Sequence, residues 1–243
     1  MSSAEGKDGR FPTTSWSLVV AAGQPDANNS RDALAELCRL YWFPLYAYVR
    51  RQGFDVDQAQ DLTQGFFARL LDKHYIDDAR QDRGRFRSFL LTSLKHYMAN
   101  ERDREQALKR GGGTNTPILM CLEDGETKYT REPGHDLTPE RIFEARWAQT
   151  LVNRVQDRLA GEFARAGKTS QFERLHGFLT DDGDVPYREI ASQTGVSEGS
   201  VKVAVHRLRR RFRDILRDEV AQTVSNAAEV DGEIRYLLAT LRA

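Results

Sequence analysis

Residues 187–209, YREIASQTGVSEGSVKVAVHRLR, hold two short helical patterns on either side of a glycine. Ile190 and Ala191 give the first an apolar face. Gly195 follows where the chain must turn, and glycine takes the left-handed conformation without steric cost. Val196 is expected to pack between the two helices, and Ser197 to cap the second through its hydroxyl. Val201, Val205 and Leu208 recur at helical spacing and face inward, which leaves Glu198, Gly199, Ser200, Lys202, His206 and Arg209 on the outer side. This is the layout of a helix-turn-helix, whose second helix enters the major groove of DNA by its first turns.

The residues that follow strengthen that reading. Arg207, Arg209, Arg210, Arg211 and Arg213 extend the second helix with the side chain that pairs phosphates as a planar fork. Phosphate contacts supply affinity, and contacts to base edges supply sequence preference. The pattern therefore assigns Glu198, Ser200, Lys202 and His206 to base edges, and Arg207, Arg209, Arg210 and Arg211 to phosphates. The whole chain is neutral, with 36 Lys and Arg against 36 Asp and Glu, so its overall field gives no pull toward nucleic acid. Charge is segregated instead: residues 207–217 are basic, whereas 55–61 and 181–184 are acidic.

Upstream, the chain reads as helices. Leu34, Leu37, Leu40, Tyr41, Leu45, Tyr48 and Val49 mark a long first helix that Gly53 interrupts. Leu62, Phe66, Phe67, Leu70 and Leu71 mark a second over residues 56–72. After a polar loop at 75–85, Phe86, Phe89, Leu90, Leu94, Tyr97 and Met98 mark a third. Residues 111–136 contain GGGTNTP and REPGHD without periodicity and read as a linker. Thr138 then caps a helix with Pro139 at its first position, running to about residue 163. A short helix over 171–179 precedes the acidic turn DDGD. At 243 residues the chain has room for two modest domains, so the expected fold is all-α, two helical domains joined by a flexible linker.

Chemistry is absent from this pattern. His74, His96, His135, His176 and His206 are scattered, without an HExxH pair; no phosphate-loop lysine and no GxSxG occur. Gly111 to Gly113 lack the strand that a phosphate loop follows, and DDGD fails the calcium-loop spacing. No catalytic residue, metal or cofactor is expected. Cys38 and Cys121 stand alone, so neither a disulfide framework nor a zinc site is supported. No signal-peptide core and no run of about eighteen apolar residues appears, which predicts a cytoplasmic protein.

On these residues a resemblance can be stated. YREIASQTGVSEGSVKVAVHRLRRRFRDIL resembles region 4 of extracytoplasmic-function (ECF) sigma factors of the sigma-70 family, the domain that reads the minus-thirty-five promoter element. DQAQDLTQGFFARLL followed by RGRFRSFLLTSLKHYMANERDR resembles region 2, which binds the polymerase clamp and melts the minus-ten element. The resemblance covers roughly residues 30 to 219. It implies an N-terminal extension at 1–29, region 2 at 30–106, a linker at 107–137, region 4 at 138–219 and a tail at 220–243. The implied partners are promoter DNA and the clamp and flap regions of core RNA polymerase.

The resemblance also places roles. Polymerase binding falls on Gln60, Asp61, Gln64 and Gly65, with Leu62, Phe66 and Phe67 in the core. The loop capturing a flipped minus-ten base falls at residues 77–85, and the next helix contributes Arg87, Lys95, His96, Asn100, Arg102 and Arg104. His96 stands where the family usually has Asn, and Gln60 and Gly65 where it commonly has acids. A basic clamp surface then meets two carboxylates fewer, which weakens complementarity. Thr63, between those two positions, is predicted to be phosphorylated by a Ser/Thr protein kinase, a phosphate restoring about −1.5 to −2 charges. An alternative keeps the helix-turn-helix but makes the chain a transcription regulator that binds an operator without joining polymerase. The tail carries Val230, Ile234, Leu237, Leu238 and Leu241 at helical spacing and is expected to dock back on region 4.

Overall fold

The structure is a computed structural model that describes residues 18, 21, 27–70, 85–108, 129, 137–179, 186–224 and 226–242. Among these the secondary structure is helical throughout: α1 Ala27–Arg51, α2 Val56–Leu70, α3 Phe86–Leu108, α4 Pro139–Arg165, α5 Thr169–Leu175, α6 Tyr187–Thr194, α7 Glu198–Ala221 and α8 Val230–Arg242. Short 3₁₀ turns stand at His176–Leu179 and Ala227–Glu229. Residues 75–84 of the polar loop, the acidic turn at 181–184, and the linker apart from residues 107, 108, 129 and 137 lie outside the described residues. The all-α expectation is met.

Two compact units are formed, one by Met1–Ala148 with Gln222–Ala243 and the other by Gln149–Ala221. In the first, α1 buries Leu37, Tyr41, Leu45 and Tyr48 on one stripe. Gly53, with φ 93°, lets the chain reverse after it, and Arg50 ties the turn by donating from Nη1 to the Phe54 carbonyl at 2.6 Å. Asp55 then starts α2. Its Oδ1 accepts from the Gln58 amide at 2.8 Å, while Gln58 Oε1 accepts from the Asp55 amide at 3.3 Å. This reciprocal capping box satisfies two amides that a helix start leaves free. α2 packs Ala59, Thr63, Phe66, Phe67 and Leu70 inward. α3 completes the core with Phe86, Leu90, Leu94 and Tyr97, and the Tyr41 and Phe86 rings meet edge to face at 5.3 Å. Cys38 is buried here, which pushes its thiol up to about 12.

α4 begins as its sequence predicts, with Thr138 Oγ1 accepting from the Arg141 amide at 3.3 Å. Its first turns bury Ile142, Phe143 and Trp147 in the first unit. The remainder buries Leu151, Val155 and Leu159 in the second unit, whose core also takes Leu175, Phe178, Ile190, Val201, Val205, Leu208 and Ile215. Glu219 is buried there and held by Arg154 Nε and Arg158 Nη1, each at 3.0 Å.

The tail corrects an expectation. α8 belongs to the first unit, not to the helix-turn-helix unit. Its Glu233 is fully buried and pairs with Arg87, and Arg85 Nη2 lies 2.9 Å from the other carboxylate oxygen. The apolar stripe of the tail called for a cover, but the buried carboxylate chose which one, because a buried charge needs a cation beside it.

Candidate nucleic-acid interface

The helix-turn-helix is built by three local devices. Pro186 precedes α6 with φ −59° and ψ 142°, an extended approach that fits a helix start. Gly195 ends α6 in the left-handed conformation at φ 68° and ψ 18°. Ser197 Oγ accepts from the Ser200 amide at 3.1 Å and caps α7. Ile190 and Ala191 on α6 meet Val201, Val205 and Leu208 of α7 in the buried interior, as their spacing predicts. Val196 departs from its expected place: it is 47% exposed and lines a cavity of about 300 Å³ with Leu175, Ile190 and Val201.

The outer face of α7 presents Glu198, Gly199, Ser200, Lys202, His206, Arg207 and Arg210 to solvent. Lys202 Nζ lies 3.2 Å from Glu198 Oε1, an exposed pair one turn apart. One outer residue escaped the sequence reading. Val203 is 51% exposed, although an apolar side chain in a run of valines has the pattern of a core residue.

The arginines separate into two kinds. Arg207 and Arg210 stand exposed. Arg209 is half-buried and donates from Nε to the Phe178 carbonyl at 2.8 Å, holding α7 to the 3₁₀ turn. Arg211 grips Glu162 by two bonds of 2.7 Å, Nε to Oε2 and Nη2 to Oε1. Those bonds hold the Glu162 carboxyl below its ordinary range and raise the Arg211 guanidinium further. Arg209 and Arg211 therefore have partners within the fold, beside the phosphate role expected of them.

A second surface lies in the first unit. Along α3, Lys95, His96, Asn100, Arg102 and Arg104 are exposed on one side while Leu94, Tyr97 and Met98 are buried on the other. Lys95 Nζ bonds Glu140 Oε1 at 2.7 Å, which raises the lysine and lowers the carboxyl. Arg102 lies over the Phe54 ring at 5.2 Å, and Arg104 is 3.7 Å from Glu101. Arg87 does not belong with them. It is 2% exposed, packed 4.4 Å from the Trp147 ring centroid and paired with Glu233, so it is a core cation and not a strand contact.

On α2, Asp61 is exposed and Gln60, Leu62 and Gln64 are half-buried, whereas Phe66 and Phe67 are core. Two expectations on this helix need correction. Thr63 is fully buried and its Oγ1 donates to the Ala59 carbonyl at 2.7 Å, so in the folded helix no hydroxyl is offered to a kinase. The spacing had signalled this, since Thr63 falls on the stripe of Ala59, Phe66, Phe67 and Leu70. Gly65 is also more than a missing acid: a Cβ there would overlap the Tyr97 hydroxyl. Its bare backbone makes room for a buried ring.

Among the described residues no helix is long and apolar enough to cross a membrane. A family model, "Sigma-70, region 4", matches residues 178–212, which span Phe178, α6, the turn and α7 to Phe212. The "ECF RNA polymerase sigma factor SigE" of Mycolicibacterium smegmatis is 25% identical over 214 residues, covering 88% of this chain and 72% of that protein. No solved structure matches the chain. The matched segment coincides with the capped helix pair, and the likeness to the mycobacterial protein extends over both units. Residues 178–212 thus carry the pattern of sigma-70 region 4, and the chain as a whole is similar to a sigma factor of the extracytoplasmic-function type.

Proposed function

We propose that this chain binds core RNA polymerase through the outer side of α2 and carries it to promoters that α7 and α3 read. The observation that supports this best is the outer face of α7. A helix fixed at its start by Ser197 holds Glu198, Ser200, Lys202 and His206 away from the core, with Arg207 and Arg210 one turn further on. Donors and acceptors in the first turns suit base edges, and the two free arginines suit the phosphates beside them. In α3, exposed Lys95, His96, Asn100, Arg102 and Arg104 would follow the backbone of separated strands at the minus-ten element. Gln60, Asp61 and Gln64 would meet the clamp, with fewer charges than a basic partner could use. With Thr63 buried, its phosphorylation forms no part of this reading.

The neutral chain has little long-range attraction for DNA, so polymerase is expected to be required for tight promoter binding. Transcription in vitro with core polymerase on genomic fragments tests this directly and finds the promoter. Initiation at defined sites only when the chain is added is the expected result. Tight, sequence-specific binding by the isolated chain at physiological salt, with no effect on initiation, would establish an operator-binding regulator instead.

A further inference from the structure

α7 carries an apolar feature at the centre of its polar face. Successive helical residues are turned by about 100°, so Val203 stands roughly 160° from both Val201 and Val205, nearly opposite the buried stripe. It is 51% exposed. Its neighbours one turn away on either side are Gly199, Ser200, His206 and Arg207, and all are exposed. No apolar patch surrounds it, so the surface is too small and too polar to seat another protein.

Gly199 supplies a second and independent observation. It lies inside the helix without a positive φ, and a Cβ at that position would meet only Ser197 Oγ at 3.8 Å, an ordinary contact. Among the described residues nothing requires glycine there, and glycine disfavours helix relative to alanine. The missing side chain leaves the helix backbone open to approach from solvent. Gly199 and Val203 are exposed one turn apart on this face, so the missing side chain of the first beside the methyls of the second would leave a shallow apolar notch among Lys202, His206 and Arg207.

We propose that this notch receives the 5-methyl group of a thymine in the major groove of the minus-thirty-five element, and that Val203 is a specificity-determining residue. The inference rests on the reading of α7 as the recognition helix. Thymine is the one standard base that presents a methyl group in the major groove, and small apolar side chains read it by contact. Gly199 lets the helix backbone approach closely enough for Val203 to reach the methyl while Lys202 and His206 address polar base edges nearby.

The test replaces each thymine of the promoter, one at a time, with deoxyuridine, which removes only the methyl. Promoter binding by polymerase holoenzyme carrying the wild type, Val203→Ala or Gly199→Ala is then measured on each template. One replacement in the minus-thirty-five element should weaken the wild type about fourfold, the value of one buried methyl-sized group. Val203→Ala should lose a similar factor on the unmodified promoter and be indifferent to that same replacement. Gly199→Ala should weaken binding while its melting temperature does not fall. The deoxyuridine series uses unaltered protein, so a folding defect cannot imitate the result. Uniform tolerance of all replacements by the wild type, or equal sensitivity in Val203→Ala, overturns the notch while leaving promoter-specific initiation intact. Absence of promoter binding by any of the three holoenzymes overturns the parent reading and the notch with it.

Discussion

Arg87 and Glu233, 146 positions apart in the chain, form a buried ion pair that fastens α8 to the start of α3. Arg87 Nε and Nη2 find no hydrogen-bond acceptor, and the cation is sheltered by the Trp147 ring at 4.4 Å and the Tyr236 ring at 5.4 Å. A cation so placed depends on Glu233, with Glu144 Oε1 more distant at 3.9 Å from its Nε. Glu233→Ala should destabilise the fold by up to about 3–5 kcal/mol, the cost of breaking a buried pair, because Glu144 at 3.9 Å only partly replaces the lost carboxylate. The double variant Arg87→Met with Glu233→Leu should recover most of that loss. Denaturant titration of the wild type and both variants checks this, and an unchanged midpoint for Glu233→Ala would show that α8 is held by apolar contact alone.

The helix-turn-helix was legible because its determinants are local. Gly195, Ser197 and the Val201, Val205, Leu208 stripe lie within fourteen positions of one another and each has one structural meaning. Arg87 was illegible for the opposite reason. Within RGRFR it looks like any cation beside a basic loop, and its burial is fixed by a carboxylate that only the fold brings near. The internal bonds of Arg209 and Arg211 were hidden in the same way, since their partners, the Phe178 carbonyl and Glu162, belong to other elements. Thr63 could have been placed from its position on the apolar stripe of α2, and Gly65 only from the ring of Tyr97 above it.

Gly65 and Gln60 should respond oppositely to new side chains. Gly65→Ala forces a Cβ against the Tyr97 hydroxyl, and that ring is buried at 6% exposure. A loss of about 1–3 kcal/mol is expected, the usual cost of overpacking. Gln60→Glu and Gln64→Glu touch half-buried, outward positions and should leave stability nearly unchanged. Combined, they should raise the association rate with core polymerase at low salt and lose the advantage as salt rises. Stopped-flow association at several salt concentrations reads this, and a rate insensitive to the two added charges would remove α2 from the clamp contact.

Acid should loosen the bond between α4 and α7. Arg211 holds the Glu162 carboxyl below its ordinary value of 4.5, so the folded chain favours the ionised form more than the unfolded chain does. A depressed carboxyl contributes stability that is fully present above its unfolded pKa and is lost as pH falls through the folded one. The pair is partly exposed, at 44% for Arg211 and 25% for Glu162, so solvent screening limits it to about 0.2–1 kcal/mol. Glu162→Gln should therefore be slightly less stable than wild type at pH 7, and the difference should close below the ordinary glutamate range. Urea midpoints across that range check the sign, and a gap that widens in acid would contradict it.

The arginines of α7 should sort by their partners when each is changed to alanine. Arg207 and Arg210 are exposed, so their removal should leave the melting temperature nearly unchanged. If they neutralise phosphates, each loss should weaken holoenzyme binding at all promoters alike and reduce the slope of log affinity against log salt by about 0.9. Arg209 donates to the Phe178 carbonyl and Arg211 grips Glu162, so Arg209→Ala and Arg211→Ala should lower stability first. Removing the Arg209 bond leaves a backbone acceptor without its donor at a half-buried site, which costs about 1–3 kcal/mol. Any effect of these two on DNA should follow the fraction folded and should fade on cooling, with the salt slope unchanged. Melting curves and salt titrations on the four variants together decide the matter. A reduced salt slope for Arg211→Ala at full folding would mean that its bond to Glu162 opens on DNA, and that α7 exchanges an internal carboxylate for a phosphate when it binds.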